Sequence, residues 1–154
     1  MPASTESMNR QATTMTLWQA IDALAAQLPF STQKVGRTLS TTLSDTHAAG
    51  GDAFRFFEGT PVRLADGTEL ARIDLRIKRE DASQGFLVLE LKGRCVPMAE
   101  VRQHYAALEL IDVPRGRSLD EASTFTATLG WGRLSFGFTE RNPDCLAFVA
   151  FDPA

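Results

Sequence analysis

The sequence predicts an α+β fold in which an antiparallel sheet carries its helices on one face. Three observations predict it. Apolar residues recur at helical spacing early in the chain, at Leu17, Ile21, Leu24 and Leu28. Strict two-residue alternation follows at Ala71, Ile73, Leu75 and Ile77, with Arg72, Asp74, Arg76 and Lys78 between them. A helical pattern and then strands recur in the second half. With 154 residues, 44% hydrophobic and 23% charged, the chain fits one domain able to bury its own core.

The first helix is expected to start at Thr14 or Thr16 and to end at Pro29. A second takes Ser31 as N-cap and sets Val35, Leu39 and Leu43 on one face, with Gly36 weakening it. Residues 44–52, with Gly50-Gly51, read as a loop. A strand over Phe54–Glu58 comes next, and Asp66-Gly67 signals a tight turn into the alternating strand. Phe86–Leu91 returns with Leu87, Leu89 and Leu91 on one face. Pro97 suits the first turn of a helix through Met98, Val101 and Tyr105. The segment from Leu108 to Val113 reads as extended, and residues 114–118 as a loop. Strands are expected over Thr124–Leu129, Leu134–Phe138 and Leu146–Phe151. The expected core is Leu17, Ile21, Leu24, Ile73, Leu75, Ile77, Leu87, Leu89, Phe136, Phe138 and Phe148.

Laid side by side, the halves share an order of helix, loop and three strands. This makes half-units of 16–93 and 94–154 within one domain of 16–154, preceded by a polar segment 1–15 expected to be disordered. Each half has one apolar sheet face and one apolar helix stripe, and neither could bury both alone. A single sheet with helices on one face answers that need, and leaves the charged row of Arg72, Asp74, Arg76 and Lys78 toward solvent.

Composition narrows function mostly by exclusion. A net charge of −3 is unlike the basic footprint of a nucleic-acid binder. No apolar run approaches the roughly 20 residues of a membrane span. His47, His104, Cys95 and Cys145 lack the close spacing of zinc sites, so neither metal nor cofactor is expected. A thiol triad of Cys145 with His104, or a Ser with His47 and Asp45, can be drawn but has no motif behind it. No catalytic residue is assigned, and the protein is read as a binding protein, not an enzyme.

Trp131, between Gly130 and Gly132 and two residues before Arg133, has the composition of an interface hot spot. The competing reading is a core Trp given room by small neighbours. The expected partner-binding surface is Arg72, Asp74, Arg76, Trp131 and Arg133. Two readings stay open for Cys95 and Cys145: a pair of free buried thiols, or a disulfide suggested by even number and placement at element boundaries. The polar start predicts a cytoplasmic protein if Met1 is the native start; a periplasmic one is the alternative.

The tandem α-β-β-β layout, with Cys95 just before a helix and Cys145 at the last strand, resembles small bacterial inhibitors of the β-lactamase-inhibitor-protein type. The resemblance implies a disulfide tying a helix start to a strand, and an exposed sheet face that grips a partner enzyme. Immunity proteins of bacterial toxin–antitoxin systems share this compact, acidic character. The expected function is therefore a protein-binding module, an inhibitor or immunity protein that neutralises a partner enzyme or toxin. The alternative is a small-ligand-binding or enzymatic domain of cystatin-like cone shape.

Overall fold

The structure is a computed structural model and describes residues 13–47 and 53–153. Among them, three helices pack on one face of a nine-stranded antiparallel sheet, as the sequence predicts. Helix α1 spans Leu17–Ala25. Thr16 starts it, because its side chain accepts the Gln19 N–H while Gln19 accepts the Thr16 N–H. Helix α2 spans Thr32–Leu39, capped by Ser31. It ends at Ser40, whose left-handed φ of 57° turns the chain back so that the Thr41 N–H meets the Gly36 carbonyl. Gly36 is required there: a Cβ would lie 2.7 Å from the Thr41 carbonyl oxygen. Leu43, expected on this helix, is instead in strand β1 (Leu43–Asp45), so the loop expected over 44–52 begins later. Gly50-Gly51 lies outside the described residues.

The remaining elements are β2 (Phe54–Gly59), β3 (Val62–Arg63), β4 (Thr68–Lys78), β5 (Gly85–Gly93), α3 (Met98–His104), β6 (Glu109–Asp112), β7 (Ala122–Leu129), β8 (Gly132–Thr139) and β9 (Phe148–Pro153). The strand order is β1-β2-β4-β5-β9-β8-β7-β6, with β3 beside β4. Each half forms a meander of four neighbouring strands, and the last strands of the two, β5 and β9, pair at the centre. The order is thus mirrored about one seam.

The inner face carries Ile73, Leu75, Leu87, Leu89, Leu134, Phe136, Phe138, Val149 and Phe151, joined in one core with Leu17, Ile21, Leu24, Val35 and Leu39 of the helices. Three expectations need correction. A bulge between Leu70 and Arg72 shifts the register, so Leu70, not Ala71, points inward. Ile77 is only half-buried, near the end of β4. Phe148 faces outward, because Val149 and Phe151 take the inward positions of β9. Of the polar segment, residues 1–12 lie outside the described residues. Thr13 bonds to Arg63 and the Met15 carbonyl to Ala65, so residues 13–15, expected in the disordered segment, join the domain.

Candidate interaction surface on the sheet

The outer face can be read off the pairing register. Its central row runs Glu58–Asp74–Val88–Ala150–Ser135–Thr126 across six neighbouring strands. A second row runs Arg72–Glu90–Phe148–Gly137–Thr124, and a third runs Phe56–Arg76–Phe86. Apolar side chains therefore occupy the middle of a face that none of the described helices covers: Phe56, Phe86, Val88, Phe148 and Ala150. Their strand neighbours shield them partly; the phenylalanines and Val88 are half-buried. Phe148 lies flat over Gly137, where any Cβ would fall inside its ring, so this glycine makes the seat for the aromatic.

Charged residues surround that middle, mostly in pairs. Arg72 sits between Glu58 at 3.6 Å and Glu90 at 3.4 Å. Arg76 donates to Asp74 at 3.2 Å, and its guanidinium lies over the Phe56 ring, 4.9 Å from the centroid. The Nε of Arg76 is buried without a hydrogen-bond partner. Arg133 pairs with Asp152 at 2.9 Å. Arg72, Asp74 and Arg76 are thus together on the outer face as expected. Arg133 shares the face but stands three strands from β4, about 14 Å away by ordinary strand spacing.

Trp131 is not part of this surface. With Gly130 it forms the tight connection between β7 and β8, and its ring folds to the inner side, stacked on Phe151 with centroids 6.0 Å apart. It is partly buried and packs against the core. Phe56, Phe86, Val88 and Phe148 were missed as surface residues. The signal was present: in Phe86-Leu87-Val88-Leu89, residues of both phases are apolar, so one phase had to face outward.

A second cluster joins the halves on the helix side. Asp66, in the β3–β4 turn, accepts the Leu17 N–H at the start of α1 and the hydroxyl and N–H of Thr68. Arg94 bridges Asp66 to Glu100 of α3, donating to both Glu100 oxygens at 2.9 and 3.0 Å. Trp18 Nε1 donates to Glu100 at 2.8 Å, and the Trp18 ring stacks on His104. Burial opposes ionisation of Asp66, but the Thr68, Leu17 and Arg94 hydrogen bonds outweigh it and hold the carboxyl below its ordinary range. Hydrogen bonding from Arg94 does the same for Glu100 against its burial, with Trp18 adding to it. Beside this cluster, Cys95 and Cys145 are joined in a disulfide, with Cα atoms 5.0 Å apart. The bond ties the approach to α3 to the approach to β9, and it removes Cys145 from the drawn thiol triad. His47 meets Asp45 at 3.5 Å on the surface.

Among the described residues no helix is long and apolar enough to cross a membrane. Comparison with protein-family models, curated proteins and solved structures finds no match to the chain.

Proposed function

We propose that the protein is a binding module that engages a partner protein through the outer sheet face, in the manner of an inhibitor or immunity protein. The observation that supports this most is the apolar centre of a sheet face that none of the described helices covers, Phe56, Phe86, Val88 and Phe148, ringed by charge pairs. An apolar centre with a polar rim is the anatomy of specific protein interfaces, and aromatic residues and Arg are enriched there. Arg76, stacked on Phe56 beside Phe86, is the expected anchor. On the inner face, where a cone-shaped domain would enclose a ligand, Leu17, Ile21 and Leu24 fill the space, which favours binding on the outer side. The disulfide supports residence in an oxidising compartment such as the periplasm.

The test is recovery of partners from the native organism by the wild-type chain and by an Arg76→Glu/Phe86→Ala double variant. Any recovered enzyme is then assayed with and without the chain. The expected result is suppression of that enzyme, with the double variant at least about tenfold weaker. Equal recovery and equal suppression by a folded double variant would remove the outer face from the mechanism.

A further inference from the structure

Beside α3, the inner side of the sheet has a groove of about 300 Å³, at the lower end of the roughly 300–1,000 Å³ of small-molecule clefts. Its walls include Met98, Pro114, Phe125, Phe138 and Pro143, and its one charged lining residue is Glu140. Neither α1 nor α2 lines it, so the packing that fills the rest of the inner face leaves it free. Segments far apart in sequence meet there, and each is fixed. The disulfide pins both Met98, just after Cys95, and Pro143, just before Cys145. The loop carrying Pro114 is held by the Glu121 carboxylate, which accepts the N–H groups of Arg115, Arg117 and Ser118. Phe125 and Phe138 stand edge to face, with centroids 6.1 Å apart. The groove is therefore formed before anything enters it, as binding clefts usually are. The Glu140 N–H continues the β7–β8 ladder by donating to the Glu121 carbonyl, so alternation sets Glu140 on the same side as Phe138. Neighbouring ions are already matched: Arg115 with Asp112 at 2.9 Å, and Arg141 with Asp120 at 3.0 Å. The Glu140 carboxylate, by contrast, has no ion pair or hydrogen bond among the described residues.

We propose that this groove is a second binding site, separate from the outer face, for a small organic ammonium compound with an aryl body. The two phenylalanine rings, the Met98 thioether and the two prolines cover an apolar group. A thioether packs well against an aromatic ring, and the faces of Phe attract an ammonium, so the walls suit both parts of such a ligand. Glu140 selects the sign of the charge. Its unmatched carboxylate attracts an ammonium and repels a carboxylate, and it does neither to a neutral molecule of the same shape. One polar group placed beside apolar walls, fixing orientation while the walls supply area, is the ordinary build of a small-molecule site.

The experiment titrates the isotope-labelled full chain with phenethylammonium, phenethyl alcohol, phenylacetate and a capped lysine, following amide chemical shifts. Phenethylammonium is expected to shift Met98, Ser123, Phe125 and Glu140 saturably. The alcohol should bind more weakly, and phenylacetate at least about fivefold more weakly than the ammonium. Glu140→Gln, a change at an exposed position, is expected to bring the three aryl probes to equal affinity while leaving the alcohol where it was. Absence of saturable shifts, equal binding of the three by the unaltered chain, or a preference for the ammonium that survives in Glu140→Gln would each overturn the proposal. Tighter binding of the capped lysine than of phenethylammonium would also overturn it, by assigning the groove to a partner protein's side chain.

Discussion

The two halves of the sheet mirror each other in strand order, but they hold their helices by different means. In the first half, α1 and α2 bury Leu17, Trp18, Ala20, Ile21, Leu24, Val35 and Leu39. In the second, α3 buries Val101 alone. What α3 lacks in apolar stripe it gains in fixed links: the disulfide just before it, the Arg94–Glu100 pair, and the hydrogen bond from Trp18. A short helix with little to bury can be held where a covalent bond and a shielded ion pair replace the missing hydrophobic area.

Removing the covalent link should give the largest effect. The bond joins residues 50 positions apart, so Cys95→Ser/Cys145→Ser is expected to lose about 4 kcal/mol by the chain-entropy argument. Urea denaturation would measure it, and hydrogen exchange should show α3 opening before α1 and α2. A loss confined to α1 and α2 would break the contrast. Next in size, Leu24→Ala in α1 is expected to cost about 3 kcal/mol, against about 1 kcal/mol for Met98→Ala in α3. Equal costs in the same denaturation series would mean that both helices are held by burial after all.

The smallest effect is expected from the ion pairs. Asp66 and Glu100 are held below their ordinary values of 3.8 and 4.5, so each contributes stability that is complete above those values. That contribution is lost as the pH falls below about 4.5 and through the lowered folded-state range. In Arg94→Met the carboxyls lose their cation, so the chain should be less stable at neutral pH and lose less on acidification. Denaturation midpoints followed downward from neutral pH would show the flatter profile; parallel profiles for the two proteins would show that Arg94 does not couple the halves.

Much of the fold was legible because its signals are local. The alternation through Ile73 and Leu75, the Asp66-Gly67 turn and the caps at Thr16 and Ser31 each involve neighbours a few residues apart. Leu43 was misplaced because helix α2 stops at a left-handed serine, a conformation that Ser seldom announces. Phe148 was assigned inward because Phe148-Val149-Ala150-Phe151 is apolar in both phases, and the glycine that seats it lies on another strand. The bulge at Ala71 hid for a similar reason, since alanine fits either face. The Trp18–Glu100–Arg94–Asp66 cluster was invisible: its members lie up to 82 residues apart, and no periodicity links them. On the outer sheet face, the positions of Arg72, Asp74 and Arg76 were legible and the aromatic residues among them were not.

Strand β9 is the last of the described strands in sequence order yet sits in the middle of the sheet, between β5 and β8. During synthesis, the first meander leaves the ribosome with β5 as a raw edge, and the second follows with β8 equally bare. Only when residues 148–153 emerge can one segment zip both together. The sheet is thus closed like a clasp by its ninth strand, and a nascent chain paused before that point carries two sticky half-sheets. Trimming these six residues would therefore unmake the centre of the molecule, not its margin.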